Sequence, residues 1–275
     1  MNTVLTVLGV LAGVLVLLAA ILVLFTWWTA RKVESALPPK GRFIDVPGAR
    51  LHIREFGDAN QDRPAILMIH GLAGQLSHFT YGVAAKLGER HRVIVVDRPG
   101  SGYSTRAPDT SAGLSAQAAA MAALLRTLGV GPAFVVGHSL GGAVALTMGL
   151  EHPQQVAGLA LIAPLTHMPE GVPPVFAGLA IESPLMRKLL AWTLAIPASI
   201  RKSAATLEVV FGPEAVPKDF ATRGGGLLSL RPSAFLEASA DLQALPEGLP
   251  DLQARSRQLR MPLSVLYGKD DRILD

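Results

Sequence analysis

Ser139 sits between two glycines in the run Val135-Val136-Gly137-His138-Ser139-Leu140-Gly141-Gly142. A serine hydroxyl is a weak nucleophile until a base takes its proton, after which it can attack an acyl carbon and hold the product covalently. Gly-x-Ser-x-Gly suits that chemistry because of what surrounds it. Residues 133–136 are an apolar run that reads as a buried strand, and residues 143–150 read as a buried helix. A chain that turns straight from strand to helix has no room for side chains two positions either side of the bend. Glycine at 137 and 141 removes the colliding Cβ atoms. The bend is then expected to lift the Ser139 Oγ above the sheet, with the free N–H groups and positive end of the helix beneath it. The plainer reading is a glycine-flanked helix start with Ser139 as its cap.

The elements that would position this serine follow in chain order. Residues 43–46 and 51–56 alternate apolar and polar around Pro47-Gly48, which predicts an antiparallel hairpin. Residues 65–69 are continuously apolar, as in a central strand, and end in His70-Gly71-Leu72-Ala73-Gly74. A helix is predicted over 76–87. A buried strand follows over 92–96 and ends in Asp97-Arg98-Pro99-Gly100-Ser101-Gly102. Residues 112–128 read as a helix capped by Asp109, Thr110 or Ser111 and stopped by Gly129. After the serine turn come a strand over 156–162 and another over 263–267. Alternating strands and helices predict an α/β fold, a mostly parallel sheet with helices on both faces.

Three strand-end motifs in this order, His70-Gly71, Asp97-x-Pro-Gly-x-Gly-Tyr-Ser and Gly-His-Ser-Leu-Gly-Gly, resemble the α/β-hydrolase fold family in its serine esterase and lipase-like branch. The resemblance covers residues 43–163 and 262–275. It implies a nucleophile at Ser139 and an oxyanion hole made by the backbone N–H groups of Leu72 and Leu140. It implies a helical lid over residues 164–248, where short helical stretches at 185–194 and 204–210 are broken by Pro and by Gly224-Gly225-Gly226. It also places the catalytic acid three residues after Gly268, at Asp271, with Asp270 as the fallback. The His70 side chain is expected to orient its own loop. In this fold the base is a histidine that follows the acid. The seven histidines are His52, His70, His78, His91, His138, His152 and His167, and none follows Asp271. The chain is therefore read as a C-terminal truncation, with its last strand and helix missing and little triad activity of its own.

Residues 2–30 carry no charge, and Trp27, Trp28, Arg31 and Lys32 close the apolar stretch. That length exceeds the roughly 30 Å of a bilayer core, and aromatics followed by cations suit the interface. Residues 1–32 are read as a single-pass membrane anchor, 33–42 as a linker, 43–163 and 249–275 as hydrolase core. Arg31, Lys32, Lys40 and Arg42 bias the globular part to the cytoplasm. The net charge of +4 is scattered, which argues against a nucleic-acid partner. The chain has no cysteine and no histidine cluster, so no metal and no cofactor are expected. Serine rather than aspartate at the apex speaks against dehalogenases and epoxide hydrolases. The expected activity is cleavage of a hydrophobic carboxylic ester. Thioesterase, carbon–carbon hydrolase and haloperoxidase chemistry, and a tethered binding module without turnover, remain the alternatives.

Overall fold

The computed structural model describes residues 2–59, 62–168 and 170–273. It opens with one helix, α1 (Asn2–Ala36), of which Thr3–Ala36 is long and apolar enough to cross a membrane. The expected linker over 33–42 is shorter than that, because nothing breaks the helix before Pro38 disfavours helical geometry at Leu37. Val33 is buried rather than exposed.

The sheet begins with β1 (Arg42–Val46) and β2 (Ala49–Phe56), paired antiparallel across Pro47-Gly48. Next come β3 (Ile66–Ile69) and two short helices, α2 (Ser77–Thr80) and α3 (Val83–Gly88), where one helix over 76–87 was expected. Gly82 interrupts them with non-helical dihedrals. β4 (Val93–Val96) is followed by the two-residue β5 (Thr105–Arg106) and by α4 (Leu114–Thr127). The cap of α4 is Gly113, not Asp109, Thr110 or Ser111. β6 (Ala133–His138), α5 (Leu140–Glu151) and β7 (Val156–Ile162) complete the unit around Ser139.

The region after β7 holds α6 (Pro184–Trp192) and α7 (Ala195–Phe211), then a 3₁₀ turn over Gly226–Leu230 and α8 (Pro232–Arg255). β8 (Leu263–Leu266) closes the sheet, whose order is β1-β2-β4-β3-β6-β7-β8 with β5 beside β2. All neighbours from β4 to β8 along that order are parallel.

Side chains alternate across this sheet with the period-two geometry of a strand. Leu67, Ile69, Ile94, Val96 and Val135 pack against α4, α5 and the second half of α8. Ile66, Met68, Val93 and Val95 point to the other face, towards Phe79, Ala84 and Leu87. The lid boundary expected at 248 falls inside α8. Leu245, Leu249 and Leu252 lie in the main core, so that half of the helix belongs to the hydrolase body. The helix carries Pro246 and Pro250 in its interior.

The bend at Ser139 is the tightest place in the fold. A Cβ built on Gly141 would lie 2.5 Å from the His70 carbonyl oxygen and closer still to that of Ile69. Both obstacles are backbone and cannot swing away. Gly141→Ala is expected to cost about 3 kcal/mol or more in unfolding free energy. Gly131→Ala, where a Cβ meets nothing within 4 Å, is expected to stay within about 0.5 kcal/mol of the parent. Denaturant unfolding of the two variants measures the difference, and equal losses would refute the crowding argument.

Candidate active site

Ser139 has φ 51° and ψ −120°, a conformation that a residue with a Cβ adopts only when its neighbours impose it. Three hydrogen bonds show what imposes it. The Ser139 N–H donates to the Ile162 carbonyl at 3.0 Å. Its own carbonyl accepts from Gly142 N–H at 2.8 Å and from Leu165 N–H at 3.0 Å. Gly137 and Gly142 complete the fit. A Cβ on Gly137 would lie 2.7 Å from the Gly142 Cα, and one on Gly142 would lie 2.6 Å from the Pro164 Cβ. Ser139 is held at the apex between strand and helix, not capping the helix, since its side chain makes no cap bond.

The loop after β3 lies against this apex. A Cβ on Gly71 would stand 3.0 Å from the Ser139 Cβ and 3.1 Å from the His138 Nδ1. Among the described residues, the N–H groups of Leu72 and Leu140 have no hydrogen-bond acceptor. Two unpaired donors therefore flank the serine, one on the loop and one on the first turn of α5.

His70 fixes the loop and takes no part in the crevice. Its Nδ1–H donates to the Gly71 carbonyl at 2.9 Å, and its Nε2 accepts the Arg98 N–H at 3.0 Å. Both nitrogens are used, which sets the tautomer as neutral imidazole. Full burial, with the Arg98 charge next to it, holds its pKa well below the ordinary histidine value.

Arg98 stands in the strand-end run after β4 without any pattern that marks it as functional. It is wholly buried. Its guanidinium donates to the carbonyls of His70 and Gly71 at 3.0 Å each, to Gln117 Oε1 at 2.8 Å and to Asp241 Oδ2 at 2.7 Å. One side chain thereby joins the loop beside Ser139 to α8. Arg106 extends the network to Glu237 and Asp241. Only the tertiary fold brings Asp241 here, 143 positions along the chain from Arg98. Asp97, next to Arg98, accepts from the Leu76 and Tyr103 amides and from His52 Nδ1 at 2.7 Å. It shapes the loop and does not face the serine.

Asp271 follows β8, with its amide bonded to the Gly268 carbonyl at 3.2 Å and Oδ1 accepting from Ile273 N–H at 2.8 Å. It comes close enough to His138 for its charge to act there. His138 is exposed at the end of β6, beside Gly71 of the loop after β3. Desolvation lowers its pKa, and the Asp271 carboxylate opposes that shift. His78 lies close enough to His138 for their charges to interact and faces Phe220, with ring centroids 5.6 Å apart. Phe211 stands edge-on to Phe220 at 4.8 Å. None of the seven histidines forms a hydrogen bond with Ser139 among the described residues. The structure sets the loop that carries Leu72 and the first turn of α5 beside Ser139, and Asp271 near His138.

Comparison with known proteins agrees with this fold. The sequence model for the alpha/beta hydrolase fold matches residues 64–196. An uncharacterised Mycobacterium tuberculosis protein is 39% identical over 133 residues, which are 48% of this chain and 37% of that protein. The matched part of the chain thus spans little more than a third of that relative's length. A 2-hydroxy-6-oxononadienedioate/2-hydroxy-6-oxononatrienedioate hydrolase of Burkholderia vietnamiensis is 29% identical over 231 residues, 82% of this chain and 76% of its own. The crystal structure of a membrane phospholipase A, a bacterial virulence factor, aligns over 100% of this chain and 83% of that one, with a TM-score of 0.62 and 25% identity.

Two expectations follow from the buried network. An unfolded histidine titrates near 6.5, whereas folded His70 stays neutral well below that. Its contribution is therefore intact above about pH 6.5 and is lost as the pH falls below it, by up to about 1.4 kcal/mol per pH unit. Unfolding in detergent from pH 7.5 downwards, both ends about the histidine range, should show that slope, and His70→Asn should flatten it. An unchanged slope would show that His70 is not the acid-sensitive group. Asp241→Asn leaves the Arg98 charge buried without its carboxylate and is expected to cost about 3–5 kcal/mol. The paired replacement Arg98→Met with Asp241→Leu should recover most of it, a coupling that a double-mutant cycle reads directly.

Proposed function

We propose that the chain, which matches the alpha/beta hydrolase fold family over residues 64–196, is a membrane-tethered serine hydrolase that cleaves carboxylic esters with a hydrophobic acyl group. The observation that carries the proposal is the backbone of Ser139, φ 51°, between two unpaired amides. A nucleophile raised out of a helix start and flanked by donors is what acyl transfer needs and what a capping serine does not. Ser139 Oγ attacks the acyl carbon while a base takes its proton, and the carbonyl oxygen gains charge. The Leu72 and Leu140 N–H groups donate to that oxyanion, a contribution worth on the order of 10²–10³ in rate per donor. The carbon–oxygen bond to the alcohol breaks, the alcohol leaves with a proton, and water later releases the acid from Ser139. Asp271 acts as the carboxylate that orients the base and stabilises its charge.

The hydrophobic acyl group is argued from the lid. Phe211 and Phe220 stand over the His78 side of the crevice, and apolar walls with few polar groups suit an acyl chain. α1 supports a single membrane span, with the globular part cytoplasmic by its flanking cations. Likeness to a membrane phospholipase over the whole chain, α1 included, favours an ester substrate drawn from lipid. The Burkholderia relative favours a second reading, carbon–carbon bond hydrolysis at the same serine.

The protein is expected to hydrolyse short to medium acyl nitrophenyl esters and to be labelled at Ser139 by a fluorophosphonate. Ser139→Ala should abolish both, and Asp271→Asn should lower kcat by about 10³-fold or more with KM little changed. Undiminished turnover in the serine variant would remove Ser139 from the mechanism. An unlabelled serine in a protein that still binds acyl chains would favour a binding module. Faster cleavage of a vinylogous diketone than of any ester would favour the carbon–carbon reading.

A further inference from the structure

One side of α1 is covered and the rest is bare. Thr26, Thr29 and Val33 are buried, and Leu22 on the same stripe is half-buried. The spacing of three and four residues is one helix face. What covers it is the lid, through α6 and the Gly226–Leu230 turn. Elsewhere on the same stretch Trp27 and Trp28 are each half-exposed, with the Arg31 guanidinium over the first ring and the Lys32 ammonium over the second. Paired aromatics and cations mark the interface level of a spanning helix. Counting back, residues 3–22 supply about 30 Å of helix, the thickness of a bilayer core. The lid therefore meets α1 at the height where α1 leaves the bilayer.

At that height the lid is not polar. Leu185, Met186 and Leu189 of α6 are 79%, 46% and 53% exposed, and Leu194 follows at 54%. Clustered large apolar side chains on an outer surface mark a contact to be made. Lys188, Arg201 and Lys202 stand exposed among them and form no salt bridge among the described residues. Arg187 is different, because its charge acts on Glu237 in the buried network. Apolar anchors interleaved with free cations match a bilayer with anionic headgroups, which takes both at one surface.

We propose that α6 and the start of α7 form a second membrane contact, resting on the reading of α1 as a span. Leu185, Met186 and Leu189 enter the acyl boundary, while Lys188, Arg201 and Lys202 meet anionic headgroups. The same lid is tied to the crevice, since Gln75 donates to the Gly224 carbonyl at 2.7 Å and Phe220 faces His78. Docking thus sets the lid edge against the bilayer and gives an acyl chain a route under it that avoids water.

Trp192, at the end of α6, is a native reporter, because the chain has only Trp27 and Trp28 besides. The full chain carrying Trp27→Phe and Trp28→Phe is reconstituted in phosphatidylcholine vesicles with or without phosphatidylglycerol. The lipids carry a nitroxide either near the headgroup or at the acyl terminus. Trp192 is expected to be quenched about twofold or more by the shallow label relative to the deep one, as for an interfacial helix. Lys188→Glu with Lys202→Glu should reduce the phosphatidylglycerol-dependent part roughly fivefold for each charge reversed. Unquenched Trp192 in protein that floats with the vesicles would overturn the proposal. So would crosslinking of α6 to α6 between copies under those conditions, which would make this face a dimer contact. Protein that does not float would instead overturn the span reading, and the second contact with it.

Discussion

Three pieces of backbone meet at Ser139 with no side chain between them. The end of β3, the end of β6 and the first turn of α5 approach until a single methyl group at Gly137 or Gly141 would overlap backbone atoms. Everything else in the fold that bears on function is arranged around that crowding. Because the strand and helix cross so closely, the chain has to reverse within one residue, and Ser139 takes a left-handed conformation that its neighbours over-determine. The following loop seals the arrangement from the other side, through Leu165 N–H on the Ser139 carbonyl and Tyr267 Oη on the Pro164 carbonyl at 2.7 Å. Ala73 and Ala163, the other two non-glycine residues with positive φ among the described residues, lie on the loops that flank the same apex. The strain is local to the strand ends, where a parallel sheet presents its ligands.

Crowding alone would not hold the loop after β3 at a useful height, because a loop needs bonds of its own. Arg98 supplies them. A buried guanidinium is tolerable only when its donors are satisfied, and here they are satisfied by two loop carbonyls, an amide and a carboxylate. The electrostatic demand of one side chain therefore fixes the loop that carries Leu72 and ties it to α8. Asp241 arrives from the element that also carries Leu245, Leu249 and Leu252 into the core. The region between β7 and β8 is thus not an appendage on a finished domain. Its last helix is half lid and half core, and its charge is needed to complete the site.

This explains which parts were legible in the sequence. β7 and the pairing of β1 with β2 follow from hydrophobic period and a Pro-Gly turn. So does the glycine pattern at the bend, because each is a local steric matter written in adjacent residues. The length of α1 was misjudged by four residues, since Val33 to Ala36 look like polar linker until one sees what covers Val33. The lid end expected at 248 falls within α8, which runs on to Arg255 with Pro246 and Pro250 inside it. Burial of Leu245, Leu249 and Leu252 against α4 and α5 outweighs the lost hydrogen bonds. Arg98 and Asp241 could not have been paired, since nothing in the chain marks an arginine as buried until its acid has been placed beside it.

The lid surface joins these two levels. Covering Thr26, Thr29 and Val33 of α1 costs polar satisfaction, since the Thr26 and Thr29 hydroxyls lack hydrogen-bond partners among the described residues. Two buried unpaired hydroxyls are tolerated only if the packing around them is otherwise favourable, and that packing is the lid's own apolar side. The helix that would sit in lipid and the helix that carries Leu185 are therefore held as one body. α7, by contrast, is exposed on nearly every side from residue 198 to residue 205. A helix bare in water on all faces gains little of the burial that normally stabilises helices. Its basic pair Arg201 and Lys202 and its apolar Ile200 make better physical sense beside a surface that offers both charge and hydrocarbon than beside water alone.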